Sequence, residues 1–396
     1  MRGLDFLRPW ISRRRLRFDR QELSGAFGDL GTDLPLLAGM VLAGGMNAGW
    51  VFLLFGLLQI ASAIIYGIPM PVQPLKAVAV LVIVQQVGAP VIAGGALAIA
   101  VIMLLLTVTG AVDGLARLIS KPVVRGIQFG LGAKLGMLAI GDYMLSDGLP
   151  GCILAGICSV LAILLLSQRR FPAAVPILII GAAYALIRGV DIGGIGVVSL
   201  PRPSLSLPGA SEIWLGFVLL ALPQVPLSLG NSMLATKQLA DDWFPERRIT
   251  LRQIGMTYSL FNVAAALLGG IPVCHGSGGM AGHYTFGGRT GGSVAIYGVF
   301  YVALSLSYAI GFNNPALLFP LPMLGVILFL EALTLVARLQ DVTASRTDLM
   351  IAIVVGLIAV SIPAYGFLVG MAVGGILSAV RNHLDPVWNS LQDPIA

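Results

Sequence analysis

The chain has 396 residues, of which 57% are hydrophobic and only 11% charged, with a mean hydropathy of +0.92; that composition excludes an ordinary soluble domain and reads as an integral membrane protein. The net charge of +6 needs no nucleic-acid partner, because the basic residues cluster in the breaks between apolar runs, as topology signals do. Three cysteines in apolar surroundings, Cys152, Cys158 and Cys274, exclude a disulfide framework, and without a Gly-Lys-Ser/Thr phosphate loop the chain does not drive transport with ATP by itself.

A spanning helix needs about 20 mostly apolar residues. In chain order, residues 1–21 form a basic arm, expected to be cytoplasmic; no short apolar core and small-residue cleavage site follow, so it is not read as a secretory signal. Fourteen segments then follow, with cores at 22–45, 50–67, 69–87, 90–110, 122–140, 151–167 and 172–190, and at 213–235, 253–269, 272–288, 291–311, 317–337, 348–362 and 364–380. Residues 191–212 read as an extracytoplasmic linker and 381–396 as a short cytoplasmic tail. This arrangement puts all but Arg188, Arg202, Lys76 and Lys134 of the 24 Lys and Arg on the cytoplasmic side. Both termini are therefore expected in the cytoplasm, in a cell's inner (plasma) membrane, with the lipid bilayer as an obligatory partner.

Segments three and ten are poor spanning helices for a shared reason. Segment three begins "GIPMPVQPLKAVAV", where Pro69, Pro71 and Pro74 remove backbone donors; segment ten begins "GIPVCHGSGGMAGHY", where Pro272 and a glycine cluster do the same. Each predicts an extended lead-in and a half-length helix. Gly67-Ile68-Pro69 recurs as Gly270-Ile271-Pro272 about half a chain later. Seven segments per half is an odd number, so 22–190 and 213–380 read as two repeats of inverted topology, the pattern in which broken helices mark a transport site.

Irregular backbone cannot face lipid, so both lead-ins must be buried or line a cavity. The helices after them would aim free amides inward, each tip carrying roughly +0.5 charge. Lys76 in a first helical turn opposes that dipole unless an anion sits nearby. Two tips and one ammonium suit a dianion; the alternative is that Lys76 snorkels to the cytoplasmic surface.

Ionisable groups inside spans cost about 2.5–3.5 kcal/mol by insertion scales and are functional hypotheses. Segment one offers Asp29, Thr32 and Asp33, and its counterpart, segment eight, offers Gln224, Ser228, Asn231 and Ser232, with Gln73 as a further donor. An ionised Asp29 would repel an anion, so it is expected to be protonated, or paired with Lys76 when the site is empty. That makes Asp29 a proton-coupling candidate; Glu331 is the rival, with Lys134 as its partner, and a structural hydrogen-bonding role is the alternative for each. Cys274, His275 and His283 do not complete a metal set: His275 is expected to donate to the ligand or support the loop, His283 to pack, and Arg289 to anchor orientation. No metal or other cofactor is expected, and no nucleophile points to an enzyme.

The stretches "GAFGDLGTDLPLL", "PMPVQPLKAVAV", "LPQVPLSLGNSMLATKQLADDWFP" and "CHGSGGMAGHYTFGGRTGG" together resemble the molybdate transporter family, a branch related to the sulfate permease (SulP) superfamily. The resemblance implies an all-α membrane protein with core and gate domains, half-helices in segments three and ten, and an elevator-like movement of the core. It implies molybdate import, with sulfate or another small anion as the alternative cargo. Protons are the expected coupling partner and a homodimer the expected assembly. Carried over, the site falls on Gly28, Asp29, Gly31 and Thr32; on Gln73, Pro74 and Lys76; on Gln224, Asn231 and Ser232; and on His275, Gly276, Ser277, Gly278 and Gly279. With so short a tail, the STAS domain of typical sulfate permeases is not expected. A nucleobase or bicarbonate carrier, or a passive channel, remains an alternative on such a fold.

Overall fold

A computed structural model describes residues 16–112, 114, 120–166, 174–189, 202–203, 207–309, 319–362 and 365–381. The arm up to residue 15, Arg117, Arg169, Arg170, most of the linker and the tail beyond residue 381 lie outside the described residues.

The described chain is mostly helical. Asp19 caps α1 (Arg20–Ala26) by accepting from the Gln21 and Glu22 amides, and α1 bends by 42° into α2 (Leu30–Gly44). Asn47 caps α3 (Ala48–Tyr66), which ends on Gly67 in the left-handed region. The proline-rich stretch stays extended through β1 (Gln73–Pro74) and opens α4 (Lys76–Gln85). There follow α5 (Ala89–Thr109), α6 (Lys121–Leu138, prolonged by a π turn over Ala139–Tyr143), α7 (Gly148–Leu166) and α8 (Ala174–Ile187).

The second half begins with α9 (Ala210–Trp243). Pro223 and Pro226 interrupt its hydrogen-bond ladder, and it widens into π turns at Phe217–Ala221 and Ser228–Ala235. Thr250 caps α10 (Leu251–Leu268), which ends on Gly269, again left-handed. Then come β2 (Val273–Cys274), α11 (Ser277–Thr285), α12 (Gly292–Ala309), α13 (Leu321–Ala337), α14 (Arg346–Ser361) and α15 (Gly366–Ala379). A 3₁₀ turn, Arg338–Val342, follows α13.

Six of these helices are long and apolar enough to cross a membrane, seven if the bent pair α1 and α2 counts as one span. Helix α3 packs along α12, α5 along α10, and α6 along α13, α14 and α15. Small residues permit the close crossings: a Cβ on Gly56 would stand 2.7 Å from the Gly298 carbonyl, and one on Gly298 would stand 2.7 Å from that of Gly56.

The two lead-ins meet. β1 and β2 form an antiparallel ribbon in which Gln73 faces Cys274 and Pro74 faces Val273, and Leu75 N donates to Pro272 O at 3.0 Å. Their outer backbone groups are satisfied by side-chain amides from the preceding helices. Gln59 on α3 donates to Val72 O (2.6 Å) and accepts from Val72 N (2.8 Å). Asn262 on α10 does the same for Val273, at 2.6 and 2.9 Å. Extended backbone thus crosses the apolar interior with its donors and acceptors paired, as a lipid-surrounded chain requires.

Candidate functional site

The ribbon sets the start of α4 two residues beyond Pro74 and the start of α11 three residues beyond Cys274. Both helix N-termini therefore begin at the crossing, and the expected site residues gather round it.

Gln73 reaches from β1 to the residue preceding α2, where its Nε2 donates to Asp29 Oδ2 at 2.6 Å. Its amide packs flat against the start of α11: a Cβ on Gly276 would collide with Gln73 Oε1, and one on Gly279 would collide with Asp29 Oδ2 and stand 2.8 Å from Gln73 Cδ. Nothing lies within 4 Å of a Cβ built on Gly278, which faces open space. Gly28 serves the fold rather than facing open space, because its Cα lies against the Gly282 backbone and a Cβ there would strike the Gly282 carbonyl.

The Lys76 ammonium sits 2.5 Å from Glu331 Oε1, and the other oxygen of that carboxylate accepts from Thr32 Oγ1 at 3.3 Å. Of the expectations for these carboxylates, a protonated Asp29 stands beside one paired with Lys76, and Lys134 is the expected partner of Glu331. Instead Gln73 engages Asp29, and the Lys134 ammonium rests 5.4 Å from the centre of the Phe367 ring. The difference is one of reach: α13 brings Glu331 to α4's first turn, a tertiary contact that spacing along the chain does not encode.

The α4 tip is not a bare set of donors, as had been expected. Gln224, from α9, places its Oε1 3.0 Å from Ala77 N and 3.4 Å from Val78 N, while its Nε2 donates to Ser228 Oγ, which in turn meets Tyr258 OH at 2.7 Å. Residue 224 thus caps a helix 147 positions away. The α11 tip differs. Its first helical bond runs from Met280 N to Gly276 O, so the Ser277, Gly278 and Gly279 amides precede the ladder. Ser277 Oγ donates to Asn231 Oδ1 at 2.5 Å, within the π turn of α9, and a cavity of about 280 Å³ opens against both residues. Ser232 is buried beside the Cys274 thiol.

His275 is a brace. Its Nε2 meets Thr257 Oγ1 at 3.0 Å and its Nδ1 meets Pro71 O at 3.3 Å, with Tyr66 edge-on to the ring at 5.3 Å, so both nitrogens are engaged within the protein, which favours support of the loop over the alternative of donation to a ligand. His283 packs against Tyr297 without a hydrogen bond at either nitrogen. Asp33 is buried, with Oδ2 accepting from Tyr297 OH at 3.3 Å. The Arg289 guanidinium stacks over Tyr284 at 3.8 Å.

Three groups escaped the reading of sequence: the clamps Gln59 and Asn262, and Glu22. A side-chain amide in a mostly apolar helix, ten residues ahead of the first proline of each lead-in, was the available signal for the clamps. Buried Glu22 accepts from the Arg289, Thr290 and Ser293 amides at 3.1, 2.8 and 3.0 Å, tying the first helix to the start of α12.

The chain matches a family model described as "Molybdate transporter of MFS superfamily" over residues 21–135 and 216–335. It is 30% identical to "Molybdate transporter 2" of Arabidopsis thaliana, with 93% of this chain and 89% of that one covered. Among solved structures it is similar to the transmembrane domain of a cyanobacterium bicarbonate transporter, BicA, with a TM-score of 0.68, 17% identity, and 92% of this chain and 99% of that one covered. It is also similar to the murine anion transporter Slc26a9 in the inward-facing state, with a TM-score of 0.71, 14% identity, and 96% and 71% of the two chains covered. At those identities the structural likeness shows the fold.

Proposed function

The chain belongs to the molybdate transporter family, and on that premise we propose that it is a secondary transporter that imports molybdate into the cytoplasm. Its relatives are named transporters, which makes it a multi-pass membrane transporter and not an enzyme.

The single observation that carries the anion reading is Lys76, half-buried in the first turn of α4 and held opposite a carboxylate. In this proposal the oxyanion takes the place of Glu331 at Lys76 and adds the free amides of α11, with Thr32, Asn231, Ser232, Ser277 and Gly278 around it. Gln73, Asp29, Gly276 and Gly279 shape the seat, Gly28 and His275 hold its walls, and Gln224 sets the α4 tip. Glu331, which the oxyanion would displace from Lys76, is one candidate for proton coupling and Asp29 the other.

The fourteen-segment reading, in two inverted repeats, belongs to the same proposal. It is supported by matched features: Gln59 and Asn262 clamp the two lead-ins alike, and the pair α3 with α12 is matched by α10 with α5. Core and gate domains moving in an elevator-like way follow from it, with Glu331 on the gate side and Lys76 on the core side.

Uptake of molybdate into proteoliposomes, read by mass detection of molybdenum, tests the proposal. Uptake above empty vesicles, outcompeted by unlabelled molybdate, supports it; no uptake refutes it. Competition by sulfate and bicarbonate ranks the cargoes.

A further inference from the structure

We infer that the ion pair of Lys76 and Glu331 is a latch that holds the empty carrier open to the cytoplasm. Oxyanion already inside releases the latch by replacing Glu331, so exchange of internal for external cargo runs faster than net import. The inference rests on the transport reading and on its division into core and gate.

The two groups are separate packing units. α3 with α12 and α5 with α10 carry the clamps of the crossing, Gln59 and Asn262, and belong to the core; α6 packs with α13, α14 and α15, and these form the gate. Ion pairs sort accordingly: Arg125 with Asp341 and Arg381 with Asp348 join gate to gate, and Lys237 with Asp241 lies within α9. Lys76 with Glu331 crosses from one group to the other, at 2.5 Å. Thr32 of α2 adds a second core contact to the same carboxylate, at 3.3 Å.

Elsewhere the boundary is greasy. Ile102, Leu222 and Val225 of the core and Val123 and Met371 of the gate line one apolar groove. Apolar contacts are non-directional, so such surfaces slide past each other at little cost. An ion pair does not. The Glu331 side chain is 6% exposed and that of Lys76 26%, and pulling the two apart with nothing in their place leaves two poorly solvated charges.

The latched state is open inward. The cavity that reaches Asn231 and Ser277 is rimmed by Lys121, Arg125 and Arg338, which loop charge assigns to the cytoplasmic side. Cargo leaves through this opening, and Glu331 closes on Lys76 behind it. The empty carrier must then part the pair unaided before it can return outward. A carrier that takes an oxyanion from the cytoplasm has Glu331 displaced already and returns loaded. Return of the empty carrier is therefore the slow step of net import.

The first test follows the initial uptake of isotopically labelled molybdate into right-side-out vesicles, empty or preloaded with unlabelled molybdate. Wild-type uptake is expected to be about tenfold faster into preloaded vesicles, and the two rates in Glu331→Gln to agree within about twofold. The second test needs no transport. Spin labels are placed on exposed positions of core and gate, Val108→Cys of α5 and Ile376→Cys of α15, in a Cys152→Ala background, Cys158 and Cys274 being buried. Without molybdate the wild type is expected to show one distance, and with molybdate a second. Glu331→Gln is expected to show both without molybdate, as is the double variant Lys76→Gln/Glu331→Gln, which keeps the measurement open where the single variant fails to fold. Wild-type uptake indifferent to the preload, or a single distance in the unliganded variants, overturns the latch. A wild type that takes up no molybdate under either condition overturns the transport reading instead, and the distances still decide whether Glu331 holds core to gate.

Discussion

The Lys76 ammonium and the Glu331 carboxylate lie 2.5 Å apart, and Thr32 donates to the other oxygen of Glu331 at 3.3 Å. One carboxylate from α13 therefore ties together α2 and α4, and it occupies the position an incoming anion needs. Deleting a single partner of such a pair leaves the other half-buried or buried without a counter-charge, which costs about 3–5 kcal/mol. Lys76→Ala is thus expected to lose stability along with affinity. The double variant Lys76→Gln/Glu331→Gln is expected to recover most of the thermal stability and none of the molybdate binding. Recovery of binding in the double variant would remove Lys76 from the site.

The two coupling candidates separate by pH profile. If import draws a proton with the cargo, wild-type uptake rises as the outer pH falls. Replacing the coupling carboxylate by its amide is expected to flatten that profile, and Glu331→Gln is expected to flatten it more than Asp29→Asn, because Glu331 faces Lys76 whereas Asp29 is already bonded to Gln73. The same Glu331→Gln change frees Lys76 for the oxyanion and is expected to tighten binding about tenfold, or about 1.4 kcal/mol. Titration calorimetry at fixed pH reads the second effect independently of transport.

Gln224 presents a different balance. Its side-chain oxygen caps α4, and loss of a cap costs about 0.5–2 kcal/mol. Gln224→Ala is therefore expected to lower the unfolding temperature while leaving molybdate affinity unchanged or improved, since the Ala77 and Val78 amides become free. A fall in affinity without a fall in stability would make Gln224 a direct ligand.

These cases show which features a sequence exposes. Pro69, Pro71, Pro74 and Pro272 announce the extended lead-ins, because a missing N–H acts locally and irrespective of neighbours. The choice of Asp29, Gln73, Lys76 and Asn231 as candidates followed from polar residues standing out in an apolar chain, and that of Ser277 from the family resemblance. The partner of each did not, because Glu331 at Lys76 and Gln224 on Ala77 are contacts across 255 and 147 positions, set by helix packing that no periodicity records. The same holds for His275: its neighbours in sequence left ligand donor and loop support both open, and its contacts with Thr257 and Pro71 favour the second.

The glycines of α11 provide a graded test of the seat. Gly276→Ala and Gly279→Ala force a methyl group into the Gln73 amide and the Asp29 carboxylate and are expected to lower both stability and uptake. Gly278 faces open space, so Gly278→Leu is expected to keep the unfolding temperature and abolish uptake, by filling the volume through which an anion approaches the backbone. Uptake retained in Gly278→Leu would move the cargo away from this tip.

Glu22 makes a prediction about the fold alone. Its carboxylate accepts three amides at the start of α12, where the helix dipole also favours negative charge, and it is buried. Glu22→Ala leaves those amides unpaired away from water and is expected to cost about 2 kcal/mol, read as a lower unfolding temperature in detergent. Glu22→Gln keeps the shape and one acceptor, and is expected to lose about half as much. Because α12 packs along α3, and α3 carries the Gln59 clamp on Val72, the loss is expected to reach the crossing as faster amide exchange at Val72. Exchange confined to Thr290 and Ser293 would instead show that the start of α12 frays without disturbing the site.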